Sequence, residues 1–84
     1  MIDIRLLGGI KKAAGRSSLV LDKPIASISE ILRFLKDNIR DPKIFDSYNI
    51  LVTINGADSS MLSQDENIVK AGDNVTIVTI VHGG

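Results

Sequence analysis

One stretch of this chain carries clear helical periodicity, and segments with a period of two lie on both sides of it. From Ser27 onward, Ile28, Ile31, Leu32, Leu35 and Ile39 recur at the i, i+3, i+4, i+7 spacing of one helix face. Arg33, Lys36 and Asp37 fall on the opposite side, and Phe34 flanks the stripe. Ser27-Ile28-Ser29-Glu30 has the form of a capping box, in which the Ser27 hydroxyl accepts from the Glu30 amide and the Glu30 carboxylate reaches back. Asp41-Pro42 disfavours continuation, because a residue before proline is pushed out of the helical region. A helix that buries only one stripe needs a second layer to lie on, and the period-two segments supply a sheet.

Ile2, Ile4 and Leu6 alternate with Asp3 and Arg5, which predicts a half-buried strand over 2–7, ended by Gly8-Gly9. A glycine-bounded loop running to about Arg16 follows, and it holds the basic cluster Lys11, Lys12 and Arg16, which reads as solvated. Ser18 to Asp22 forms a second short strand with Leu19 and Leu21 on one face and Val20 on the other, and Pro24 stops it. After the helix, Ile50 to Ile54 is a β-branched run ending in Asn55-Gly56, the dipeptide best suited to a type I′ hairpin turn. Ala57 to Lys70 is polar and weakly periodic, with room for a short strand and a single helical turn near Asp65-Glu66. Ala71-Gly72-Asp73 signals a turn, and Asn74 to Val81, rich in Val, Ile and Thr, is the strongest strand.

The order is strand, strand, helix, strand, weak strand or turn, strand, on one sheet. The first two strands are joined too closely for a crossover and should form a hairpin, while a strand after the helix can lie parallel to one before it. This is an α+β chain of β-grasp, ubiquitin-like type: a mixed sheet of four to five strands with one main helix on one face. Eighty-four residues make one small domain. We place it at 1–81, with 82–84 as a flexible Gly-Gly tail.

Ten basic residues balance ten acidic ones, so no net field draws the chain to nucleic acid or to an anionic membrane, and neither is expected as a direct partner. The N-terminus lacks the basic and apolar regions of a signal peptide, and no run approaches the length of a membrane span, which points to a cytoplasmic protein. The absence of cysteine excludes disulfides and thiolate metal ligands, so any sulfur handled here must come from another molecule. No stretch matches a nucleotide-binding glycine loop: Gly9 to Arg16 has one residue too many between its glycines and lacks the Lys-Ser/Thr pair. Asp65-Glu66 and Asp37/Asp41 are sparse carboxylates that surface positions explain, and no metal site is expected. The lone histidine, His82, has no orienting partner in sequence and reads as a recognition element or spacer.

The remaining feature is His82-Gly83-Gly84, directly after the last strand. Two glycines can fray as termini do, or can thread a narrow tunnel that side chains would block. With Leu7-Gly8-Gly9 closing the first strand, Ile50 to Asp58 as a central hairpin, Gly72-Asp73-Asn74-Val75 before the last strand, and this ending, the chain resembles the ubiquitin-like sulfur carriers. That group includes the ubiquitin-related modifiers and the small subunit of molybdopterin synthase. The His-Gly-Gly ending and the lack of proline after Pro42 lean toward the modifier branch.

The resemblance implies a cosubstrate, not an enzyme. A ubiquitin-activating-like enzyme would use ATP and Mg²⁺ to adenylate the Gly84 carboxylate. Sulfur from a persulfide-carrying protein would then displace AMP and leave a thiocarboxylate. His82 and Gly83 would be read by the partner. The sulfur would go to a tRNA-thiolation enzyme, or to the large subunit of molybdopterin synthase if that branch applies, and the activated carbonyl could also be captured by protein lysines.

Strand parity adds a docking surface. With Ile2, Ile4 and Leu6 inward, Asp3, Arg5 and Leu7 point to the open face; in the last strand Thr76, Val78, Ile80 and His82 do the same. Leu7, Leu51, Val78 and Ile80, with Leu62, would form an apolar patch where an isolated sheet face carries polar residues. A pure binding module using this face with an inert tail, and a regulatory domain released from a larger enzyme, are the competing readings.

Overall fold

The computed structural model describes residues 1–44, 48–59 and 67–81, with Tyr48, Ile80 and Val81 described by their backbone alone. Its strands are β1 (Ile2–Gly8), β2 (Ser18–Leu21), β3 (Ile25–Ser27), β4 (Tyr48–Ile54), β5 (Ala57–Asp58), β6 (Ile68–Lys70) and β7 (Val75–Val81). Its helices are α1 (Gly9–Ala14) and α2 (Ile28–Asn38). The main sheet has five strands in the order β2-β1-β7-β4-β5, and β3 and β6 pair separately. β1 and β2 are an antiparallel hairpin, and β7 runs parallel to β1 and antiparallel to β4. This is the mixed α+β, β-grasp arrangement.

Alternation decides which side of each strand is buried. Ile4 lies beside Val75, and Val75 beside Ile54; Leu6 lies beside Ile77, and Ile77 beside Val52. All six are buried, and they join Leu19 and Leu21 of β2 in one core cluster. Complete burial of a side chain such as Ile77 contributes roughly 2–3 kcal/mol. Both helices lie on this inner face, α2 through Ile31 and Leu35 and α1 through Ile10.

α2 starts where the capping box predicts. The Ser27 hydroxyl accepts from the Glu30 amide at 3.1 Å, and the Glu30 carboxylate accepts from the Ser27 amide at 3.4 Å. The Glu30 carboxyl is held below its ordinary range, first by the hydrogen bond from Lys23, whose Nζ lies 2.8 Å from Oε2, and then by that Ser27 amide. Asn55 and Gly56 both take positive φ, 52° and 86°, as a type I′ turn requires.

Three features depart from the sequence reading. The segment after Gly8 is not a loop but a short helix, because Ile10, Ala13 and Ala14 present an i, i+3, i+4 face to the core. β2 does end ahead of Pro24, at Leu21, but a further strand not anticipated from the sequence, Ile25–Ser27 (β3), follows it. The strands therefore do not all lie on one sheet, since β3 pairs antiparallel with β6, with Ala26 opposite Val69 and both buried. The turn anticipated near Asp65-Glu66 lies outside the described residues.

Candidate functional site

β7 bears the C-terminal tail, and it is the central strand of the main sheet. Its inner face is set by Val75, Ile77 and Thr79, all buried, and its outer face carries Thr76 and Val78, both half-buried. Burial thus follows the alternation expected for this strand. The same holds for β1, where Asp3, Arg5 and Leu7 are exposed.

Register brings three of the five proposed patch residues together. Leu7 stands beside Val78, and Val78 beside Leu51, so the three occupy one lateral row across β1, β7 and β4 on the open face. Three neighbouring strands at about 4.8 Å spacing span roughly 10 Å, the width of a small hydrophobic contact. Leu7 is 42% exposed, and Leu51 and Val78 are half-buried. The next row toward the start of β7 is polar: Arg5, Thr76, Thr53 and Asp58. In the opposite direction the backbone of Ile80 pairs with Asn49. The side chain of Ile80, and Leu62, His82, Gly83 and Gly84, lie outside the described residues.

Thr79 alternates with the outward residues of β7 and so falls on its inner face, where it is buried. Its Oγ1 accepts the backbone N–H of Ile10 at 2.8 Å, satisfying a first-turn amide of α1 that has no partner within the helix. The preceding residue, Gly8, has φ +76°, and a Cβ there would stand 2.8 Å from the Thr79 carbonyl oxygen. Glycine is required twice over at this position, for its dihedral and for its close approach. The available signal was a threonine on the buried face of a Val/Ile strand, paired with a chain that breaks at Gly8-Gly9.

The other end of β7 is held by polar groups. Asn55 donates its backbone N–H to the Asn74 carbonyl at 2.7 Å and accepts the Asn74 amide on its side-chain oxygen at 2.9 Å. Asp73 accepts the Lys70 amide at 2.8 Å and the Asn55 side-chain amide at 3.3 Å. These two bonds, the Lys70 amide first, hold the Asp73 carboxyl below its ordinary value of 3.8.

Among the described residues no three His, Cys, Asp or Glu side chains stand together in a way that could hold a metal ion. No helix among them is long and apolar enough to cross a membrane. The described geometry offers a central strand with an apolar row on its open face.

Comparison with known proteins identifies the family and the fold. A model of the ThiS family matches residues 4–84. The chain is 31% identical over 87 aligned positions to the ubiquitin-related modifier 1 homolog of Culex quinquefasciatus, covering 94% of this chain and 76% of that protein. It is 24% identical over 70 positions to the homolog of Caenorhabditis elegans, covering 70% of each. Its fold is similar to that of small archaeal modifier protein 1 from Methanosarcina acetivorans, with a TM-score of 0.74 at 22% identity over 99% of this chain and 95% of the other. It is also similar to that of Urm1 from Trypanosoma brucei, with a TM-score of 0.72 at 24% identity over 99% and 94%.

Proposed function

This chain belongs to the ThiS family of ubiquitin-like sulfur carriers and modifiers, and from that premise we propose that it is a protein cosubstrate whose Gly84 carboxylate is activated and charged with sulfur. A carboxylate at neutral pH is an anion and a poor electrophile, since its pKa lies near ~3.5. Attack of that carboxylate on the α-phosphate of Mg²⁺-bound ATP, in the site of a ubiquitin-activating-like enzyme, releases pyrophosphate and forms an acyl adenylate. The terminal sulfur of a protein persulfide then attacks the carbonyl, and AMP leaves. A second thiol cleaves the resulting acyl disulfide, forming a new disulfide and freeing the Gly84 thiocarboxylate.

The acceptor we propose is a tRNA-thiolation enzyme, with capture of the activated carbonyl by lysine amines as a second outlet. The names of the curated relatives favour the modifier branch over the small subunit of molybdopterin synthase. Gly83 and His82 lie next to the reacting carbonyl, Gly83 giving the tail its slim profile and His82 a recognition point. Leu7, Leu51 and Val78, with Ile80 and Leu62, are proposed as the surface that docks on the activating enzyme.

The observation that carries this reading is the extent of the family match: it runs through Gly84, the residue that would react. Incubation of the purified chain with the activating enzyme, ATP, Mg²⁺ and a persulfide donor should add one oxygen-to-sulfur mass difference to the C-terminal peptide. A chain that forms neither adenylate nor thiocarboxylate under these conditions is not a carrier. A chain lacking Gly84 that retains its cellular role would identify a binding module that works through the sheet face alone.

A further inference from the structure

The chain has no net charge, yet its positive charges are unevenly placed. Five of its ten basic residues, Lys11, Lys12, Arg16, Arg40 and Lys43, gather at one end of the sheet. Parallel pairing fixes which end. Gly8 lies beside Thr79, so β1 leads into α1 at the edge from which β7 leads into residues 82–84. The bond from Ile10 to Thr79 holds the start of α1 against the strand that bears the tail.

Two grooves border α1 here. One, of about 530 Å³, is lined by Lys11, Lys12, Arg16 and the backbone of Gly8 and Gly15. The other, of about 510 Å³, is lined among the described residues by Lys12, Arg40, Lys43, Ile44 and one acid, Asp41. Lys12 lines both, so they form one continuous rim. All five basic side chains are exposed, and none makes an ion pair with a described residue. Asp41 is engaged locally, its Oδ1 accepting the Lys43 amide at 3.2 Å.

A structural role accounts for only part of this. Lys11 and Lys12 occupy the last turn of α1, where cations complement the helix dipole. Arg16 and Lys43 lie outside both helices, so the dipole does not explain them. Five like charges gathered around a described lining with one acid, Asp41, repel one another, and a partner of opposite charge would relieve that repulsion.

We infer that this basic rim docks on a carboxylate-lined surface of the activating enzyme, at the mouth of the channel that receives the tail. The inference rests on the proposed function and names the chemistry of the partner surface. The apolar row lies on the open face of the sheet and the rim lies at its end, so the two contacts together fix the rotation of the domain about the tail. A phosphodiester backbone is the less suitable occupant: among the described residues the rim carries no aromatic ring on which a base could stack, and the neutral chain has no long-range field for a polyanion.

The test is direct binding of the full chain to the ubiquitin-activating-like enzyme of the same organism, without ATP, at low and at physiological salt. R16E and K43E should each raise Kd about tenfold and flatten its salt dependence, because charges at the edge of an interface act through steering and complementarity. R33E, on the exposed face of α2, makes the same change of net charge away from the rim and should move Kd less than about twofold. Thermal melting checks that each variant folds.

Equal weakening by R33E and R16E would reduce the effect to net charge and overturn the inference, as would an unchanged Kd or a wild-type chain that does not bind. Rim-dependent binding to a transfer RNA transcript, with Kd for the enzyme unmoved, would also overturn it and assign the rim to phosphates. A parallel incubation with ATP and Mg²⁺ separates the two readings. If the rim governs binding and no adenylate forms, the carrier function fails while the docking surface stands.

Discussion

The two ends of β7 are held in different ways. At its start, Asn55 and Asp73 make a net of four hydrogen bonds that ties the β4-β5 turn to the turn between β6 and β7. Toward its end, a threonine hydroxyl and a glycine without a Cβ seat α1 against the strand. The first device is polar and exposed, and its longest bond spans 19 positions. The second is buried and joins residues 69 positions apart. A strand that presents its terminus to another protein needs a firm base close to that terminus, and a buried contact provides it with little dependence on salt or pH.

Removal of Gly84 is the sharpest way to separate the strand from what it carries. The expected outcome is complete loss of thiocarboxylate by mass spectrometry, with an unchanged melting temperature. Gly8→Ala attacks the buried end itself. A left-handed φ and a Cβ 2.8 Å from a carbonyl oxygen should destabilise the chain by about 3 kcal/mol in urea unfolding. Leu7→Asp leaves both ends of β7 intact and spoils the apolar row; adenylation assays should show KM for the chain rising about tenfold, with kcat held.

Smaller effects distinguish the two devices. Thr79→Val preserves volume but leaves the Ile10 N–H without its acceptor, a loss of about 1–2 kcal/mol that should not vary between pH 4 and pH 8. Asp73→Asn should act in the opposite fashion. The folded Asp73 carboxyl titrates below 3.8, so its contribution is present above that value and is lost as the pH falls through the folded pKa. The variant should therefore be slightly less stable than the parent at neutral pH and show a flatter acid limb in pH-dependent melting. An unchanged acid limb would mean that the Asn55 bonds alone hold the base of β7.

The same contrast governs what could be read from the sequence. Features specified by neighbouring residues were legible: the Ser27-Glu30 box, the Asn55-Gly56 turn, and the alternation of β1 and β7, which placed Leu7 and Val78 on the open face. Features specified by distant partners were not. β3 is a short run between Pro24 and a helix, and only the arrival of β6 makes it a strand. α1 is too short for its period to stand out, and its start depends on Thr79, far along the chain. The rim followed from the same gap, because Lys11, Lys12 and Arg16 read as a loop cluster until the fold set Arg40 and Lys43 beside them. Parity could place Leu7 and Val78 on the open face, but it carries no information on a partner for His82, Gly83 or Gly84.

The central position of β7 has a consequence for biosynthesis. β1 and β4 are not hydrogen-bonded to each other; both pair with β7. While the ribosome has yet to release residues 75–81, the nascent chain can pair β1 with β2 and β4 with β5, but the strand that joins these two hairpins into one sheet is missing. Under the proposed function, a prematurely terminated product that lacks β7 therefore has neither a completed docking face nor a reactive terminus to offer the activating enzyme.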